Sequence, residues 1–238
     1  MKDKRPIRWL TFDVLGTCVD WRTTLSEEGS KLWNRLGLQP AIDWNSFAVA
    51  WFENYAFGIQ AANAPGPWIT AEQIIRGGLV EALASIGVPP LSGHDLDALC
   101  ELWDLLHPWP DARHGLERIR QTGRSVATLS NFGIQTLRAI GAHGHLPWDR
   151  ILSSETVKRY KPDPAVYEMA VELLHEEAAK IMMVAAHTYD LQAAAQLGFA
   201  TAFVIRAGEN PPPPPHTFDM VVTDFNELAL RIAQDYSI

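Results

Sequence analysis

The chain reads as an α/β protein: a Rossmann-like parallel sheet flanked by helices, with an inserted all-helical cap domain. Three observations predict this. An apolar, β-prone run over 7–12 stops abruptly at Asp13, with Gly16 and Thr17 close behind. Residues 21–107 then show helical periodicity only. From His107-Pro108-Trp109-Pro110-Asp111 onward, strand-like and helix-like segments alternate, the pattern of a parallel sheet covered on both faces. The expected organisation is a core of residues 1–19 and 108–238 and a cap of residues 20–107.

In the cap, Leu25, Leu32, Trp33 and Leu36 recur at helical spacing and Gly37 closes the segment. Phe47, Trp51, Tyr55 and Ile59 lie four apart and form one apolar stripe. Asn63-Ala64-Pro65-Gly66-Pro67 breaks the chain. Thr70 with Gln73 reads as a capping box opening a helix that carries Ile75, Leu79 and Leu83. Leu96, Leu99, Leu102 and Leu106 mark another helix. The aromatic residues Trp44, Trp51, Phe52, Tyr55, Phe57 and Trp68 read as core or subunit interface before substrate wall. In the core, helices are expected over 112–121, around Ile134 to Ile140, from Pro164, over 191–197 and from Phe225. Strands are expected over 126–129, 150–152, 181–184 and 201–205, with an edge strand at 220–222. The prolines at 211–215 read as a short polyproline loop.

The composition narrows the function. With 238 residues, 47% hydrophobic and 20% charged, the chain has ample material for a large core. A net charge of −8 argues against nucleic-acid binding. Cys18 and Cys100 form no CxxC pair and suggest a reducing compartment. The opening Met1-Lys2-Asp3-Lys4-Arg5 does not read as a signal peptide, and no apolar run is as long as a membrane span. The expected setting is the cytoplasm, with no membrane partner.

Four expected strand ends carry polar side chains: Asp13; Ser130-Asn131; the run leading to Lys161; and His187-Thr188-Tyr189-Asp190. Singly, each has a bland reading, because an Asp after a strand often caps a helix, Ser-Asn often makes a turn and Lys-Pro is usually surface. Parallel strands, however, present their carboxyl ends at one crevice, where ligands bind. An ionised Asp13 there can act as a nucleophile and form a covalent ester. Lys161 nearby would keep it ionised. The hydroxyls of Ser130 and Thr17 and the amide of Asn131 can bind an anion, and Asp190 can orient Lys161 or help activate water.

These stretches in order resemble the haloacid dehalogenase superfamily and, within it, the type II L-2-haloacid dehalogenases. Asp13-Val14-Leu15-Gly16-Thr17 is similar to the first motif, Leu129-Ser130-Asn131 to the second, and Tyr160-Lys161-Pro162-Asp163-Pro164 with Tyr167 to the third. Ala185-Ala186-His187-Thr188-Tyr189-Asp190 is similar to a variant of the fourth. The resemblance implies a two-step hydrolysis of a small (S)-2-haloacid or haloacetate to a 2-hydroxy acid, through an ester on Asp13. It implies that Ser130 and backbone amides near Leu15 hold the substrate carboxylate, and that Lys161 and Asp190 support Asp13 and the hydrolytic step. Asn131 and Tyr167 would pack and hydrogen-bond around them. A homodimer is implied as well.

Two positions separate this chain from the superfamily's phosphatases. Their acid two residues after the nucleophile is Leu15 here, and a motif-four carboxylate ligand for Mg²⁺ is Ala186. A site short of hard oxygen ligands holds Mg²⁺ poorly, and halide needs no proton to leave. No cofactor and no metal are therefore expected. Two departures from the dehalogenase pattern stand out. The family's halide-receiving cap arginine corresponds to Phe52, and Arg76 is the next cap cation. His187 stands where many members have Asn and reads equally as a substrate neighbour or a hydrogen-bonded supporting residue. Phe52 keeps two alternatives open: a related hydrolase with a more apolar, non-halogenated substrate, and a non-catalytic binding protein.

Overall fold

The computed structural model describes residues 6–236; the opening run 1–5, and with it the reading that no signal peptide is present, lies outside the described residues. Strand β1 (Trp9–Phe12) is followed by the two-residue β2 (Val19–Asp20). Helices α1 (Trp21–Arg35), α2 (Trp44–Ala61), α3 (Ala71–Ser85) and α4 (Gly93–Cys100) follow, the last running into a 3₁₀ turn at Glu101–Leu105. The chain returns through β3 (His107–Pro108), α5 (Ala112–Gln121), β4 (Ser125–Thr128) and α6 (Ile134–His143). It continues with α7 (Pro164–Leu174), β5 (Ile181–Ala185) and α8 (Thr188–Gln196). It finishes with β6 (Ala200–Val204), β7 (Met220–Val222) and α9 (Phe225–Asp235).

The main sheet has the order β4-β1-β5-β6-β7, with every neighbouring pair parallel. β1 sits between β4 and β5, with Phe12 opposite Thr128 on one side and Val184 on the other. Its carboxyl end is therefore flanked by the ends of both neighbours. Alternate residues of β5 serve opposite faces: Met182 and Val184 join the core that includes Leu116, Leu137 and Phe225, whereas Ile181, Met183 and Ala185 join Val166, Tyr167 and Leu191. Burial on both faces explains why these strands read as near-continuous apolar runs.

The expected strand over 150–152 is not formed; only isolated bridges join Ala127 to Arg150 and Ser130 to Ser153. Backbone bonds run from the Asp149 N–H to the Val126 carbonyl and from the Thr128 N–H to the Arg150 carbonyl, and side chains take neighbouring positions. The Asp149 carboxylate accepts from the Val126 N–H, and the Thr128 hydroxyl accepts from the Leu152 N–H. The Ser153 hydroxyl donates to the Phe132 carbonyl, and the chain turns into a 3₁₀ helix at Ser154–Thr156. Lys161 thus reaches the sheet edge from a loop, not from a strand end. The helix expected to run through Leu106 likewise breaks at Cys100.

The helices of residues 21–100 begin and end at one short antiparallel ribbon, which pairs Asp20 with His107 and Val19 with Pro108. Asp20 also caps α1 by accepting from the Thr23 N–H. The stripe Phe47, Trp51, Tyr55, Ile59 is buried, and the Trp51 indole donates to the Ile75 carbonyl of α3. The capping box of Thr70 and Gln73 is present. Phe57 faces away, 72% exposed. Asn63, at the end of α2, grips Tyr160 by both backbone groups: its Oδ1 accepts from the N–H at 2.9 Å and its Nδ2 donates to the carbonyl at 2.8 Å. The helical segment is therefore tied to the residue directly before Lys161. Among the described residues no helix is long and apolar enough to cross a membrane.

Candidate active site

Asp13 follows β1 directly, and its N–H donates to the Val184 carbonyl. Its carboxylate therefore starts where the sheet stops. The next turn needs Gly16, whose φ is +75°. A Cβ at Gly16 would also lie 2.7 Å from the Glu209 carboxyl carbon, so a glycine here lets that carboxylate approach. The turn brings the Thr17 hydroxyl back to donate to Asp13 Oδ2 at 2.8 Å, while it accepts from the Ala186 N–H at 2.9 Å.

Lys161 is held by its backbone, whose N–H donates to Asn131 Oδ1 at 2.8 Å. Its ammonium donates to Asp13 Oδ1 at 2.9 Å, to the Leu129 carbonyl at 2.8 Å and to Asp190 Oδ2. The Tyr167 hydroxyl donates to the other Asp190 oxygen at 2.6 Å. On the far side of the nucleophile, His187 Nδ1 lies 3.0 Å from Asp13 Oδ2 and Nε2 lies 3.0 Å from Glu209 Oε2. Glu209 Oε1 accepts from the Trp21 indole at 2.8 Å. Trp21 stacks on Phe52 with ring centroids 4.0 Å apart.

Charges follow from this geometry. Burial alone would raise the Asp13 pKa, but the Lys161 charge and the His187 hydrogen bond outweigh it and hold the carboxyl well below the usual range. Burial opposes the charged form of Lys161, yet Asp13 and Asp190 raise its pKa, so it is an ammonium. Burial raises the Asp190 carboxyl, with Lys161 pulling the other way. Burial would also neutralise His187; its bonds to Asp13 and Glu209 push it up to about 10 instead. His187 is therefore an imidazolium at neutral pH.

These groups face a cavity of about 430 Å³, near the small end of ligand pockets. Asp13, Leu15, Phe52, Ser130, Asn131, Lys161 and His187 all line it. The Ser130 hydroxyl accepts from the Phe132 N–H, which leaves its proton available. Three expected site residues stand behind the wall. Thr17, Tyr167 and Asp190 are fully buried, and their side chains are engaged with Asp13, Asp190 and Lys161. Thr17 and Tyr167 therefore support charged groups and do not line the cavity. Arg76 is not part of the cavity lining; it pairs with Asp97 on the surface.

Glu209 and Trp21 were not picked out from the sequence. A signal for Glu209 existed, since it follows the carboxyl end of β6 and obeys the same rule that gathers the other four stretches. Trp21 carries no such signal; only the close approach of α1 to the β6 loop reveals it. From α2, Tyr55 and Ile59 line the cavity as well as the helical core.

The model of the haloacid dehalogenase-like hydrolase family matches residues 7–198. Among curated proteins, (S)-2-haloacid dehalogenase 1 of Pseudomonas sp. (strain CBS-3) is 28% identical over 214 residues, covering 84% of this chain and 86% of that protein. The (S)-2-haloacid dehalogenase of Pseudomonas sp. (strain YL) is 33% identical over 123 residues, covering 49% of this chain and about half, 53%, of that protein. Among solved structures, a defluorinating L-2-haloacid dehalogenase superposes with a TM-score of 0.88 at 32% identity, covering 94% of both chains. A second L-2-haloacid dehalogenase gives a TM-score of 0.88 at 31% identity, covering 96% of this chain and 99% of that one.

Proposed function

Since the chain belongs to the haloacid dehalogenase-like hydrolase family, we propose that it hydrolyses the carbon–halogen bond of small (S)-2-haloacids or haloacetates. The observation that carries the reading is the ionised Asp13 carboxylate on the wall of a small cavity, bonded to the buried Lys161 ammonium that also holds Asp190. A carboxylate so placed attacks C2 of the substrate. A C–O bond forms, the C–halogen bond breaks with its electron pair, and the configuration inverts. Water then adds to Asp13 Cγ, the Cγ–O bond to the substrate oxygen breaks, and a 2-hydroxy acid leaves.

Ser130 and Asn131 flank the nucleophile on one side of the cavity and suit the substrate carboxylate. Lys161 neutralises part of the charge that substrate and nucleophile bring together. The cation between Asp13 and Asp190 is the chain's own ammonium, and the Ala186 position offers a backbone N–H to Thr17 in place of a carboxylate. That donor set favours displacement without a divalent ion. Phe52 gives the cap side of the cavity an apolar wall where the family's arginine is expected. The similarity to dehalogenases along nearly the whole chain does not favour a non-halogenated substrate or a binding protein. The reading includes a homodimer, for which the exposed Phe57 on α2 is a candidate contact. Free Cys18 and Cys100 suit the cytoplasm.

Incubation with chloroacetate and with each enantiomer of 2-chloropropionate, with a chelator present, tests the reading. Chloride should appear with the (S) enantiomer, be insensitive to chelator, and be absent for Asp13→Asn. Chloride release that survives in Asp13→Asn, or that requires added Mg²⁺, would overturn it.

A further inference from the structure

The two halves of such a reaction have different leaving groups. Halide departs as an anion and needs no proton. The oxygen released with the 2-hydroxy acid departs as an alkoxide, which is far more basic and needs one. The position two residues beyond the nucleophile, Leu15, cannot supply it. Lys161 is 97% buried, and its ammonium is shared among Asp13 Oδ1, Leu129 and Asp190. A different side chain faces the other carboxylate oxygen: His187, with Nδ1 3.0 Å from Asp13 Oδ2 and its ring on the cavity wall.

We propose that His187 is the acid of the second half-reaction, giving its Nδ1 proton to Oδ2 of Asp13 as that oxygen leaves with the product, and that Glu209 is the residue that positions it. The proposal rests on the reading that Asp13 carries the substrate as an ester. Water adds to Cγ and releases one proton to solvent through the cavity. The tetrahedral centre collapses, the Cγ–Oδ2 bond breaks, and the Nδ1 proton passes to Oδ2. The new carboxyl of Asp13, with one oxygen from water, passes the second water proton to the neutral imidazole. Asp13 is again a carboxylate and His187 an imidazolium, so each turnover releases one proton and one halide.

The surroundings of His187 fit this task. Nε2 is fixed on Glu209, and Glu209 is itself fixed by the Trp21 indole. Asp13 and Glu209 contact the ring, Lys161 and Asp190 lie beyond Asp13, and the Tyr189 ring is 5.9 Å away. Arg22 lies over the Trp21 ring, 4.7 Å from its centroid. When esterification removes the Asp13 charge, Glu209 remains to keep the imidazole oriented and charged. Once esterification removes the Asp13 charge that helps raise its pKa, the imidazolium facing the ester oxygen has the proton and the direction for this transfer.

Single-turnover and steady-state measurements with (S)-2-chloropropionate on the wild type, His187→Asn and Glu209→Gln test the proposal. General acid catalysis is worth about 10² to 10⁴ in rate. His187→Asn should release a stoichiometric burst of chloride, then turn over at least about 100-fold more slowly, with the Asp13 adduct visible in the intact mass. Glu209→Gln should keep the burst, and its turnover should lose its alkaline limb at a lower pH than the wild type. Thermal unfolding of both variants checks the fold, and the burst itself reports an intact nucleophile. Turnover in His187→Asn close to wild type, or a slowed burst with no adduct, would overturn the proposal. Absence of chloride from the wild type would instead remove the dehalogenation reading on which it stands.

Discussion

Lys161 is the residue on which the charges balance. Removing an ammonium that lies between two buried carboxylates leaves both without their shared partner, a loss of about 3–5 kcal/mol for a buried ion pair. Lys161→Met should therefore lower the denaturation midpoint at neutral pH by an amount of that order, and should sharply slow halide release because Asp13 loses the main charge that holds it ionised and the bond that orients Oδ1. A variant as stable as the wild type in urea would contradict the placement of this side chain. Asp13, Ser130, Asn131, His187 and Asp190 were legible because residue type and strand-end position coincide; Lys161 was legible by residue type, although it arrives from a loop. What the sequence hid was the direction of each side chain. Thr17 and Tyr167 belong to recognisable motifs yet turn their hydroxyls to Asp13 and Asp190. Glu209 lies in the stretch following β6 and was passed over, although it obeys the strand-end rule that picked out the others.

Among the elements, strong periodicity translated directly into structure. The stripe on α2, the capping box on α3 and the apolar runs of β1, β5 and β6 are local signals, and each element appears where its pattern predicts. Elements that depend on distant partners were not legible. The ribbon of β2 and β3 is two residues long and joins positions far apart in sequence. The expected strand at 150–152 keeps only isolated bridges and mixes backbone with side-chain hydrogen bonds, which no periodicity reports. Helix packing offers a separate check. A Cβ at Gly115 of α5 would lie 2.2 Å from the Phe225 Cβ of α9 and 2.9 Å from its carbonyl carbon. Alanine normally gains about 0.5–1 kcal/mol over glycine in a helix. Overpacking against a neighbouring backbone costs about 1–3 kcal/mol, so the clash wins. Gly115→Ala should be less stable than the wild type in urea, with KM unchanged, since the α5–α9 contact lies away from the cavity. A stabilised variant would show that these helices stand further apart.

For the molecule as a whole, the buried ion cluster links stability to pH. His187 has a folded pKa of about 10 against an ordinary 6.5. A raised pKa means that the folded state holds the proton more tightly. Its contribution is complete below pH 6.5 and is lost as pH rises through 10. The urea midpoint should decline across that interval in the wild type and decline less in His187→Asn. Equal declines would remove His187 from the cluster. The central claim concerns the covalent link between Asp13 and substrate, and the origin of the product's hydroxyl oxygen tests it most directly. With enzyme in excess over (S)-2-chloropropionate in ¹⁸O-water, the first turnover should give lactate with an unlabelled hydroxyl, and the label should be found on the Asp13 carboxylate. Label in the lactate hydroxyl and none on Asp13 would show that water attacks the carbon itself, and would contradict the account.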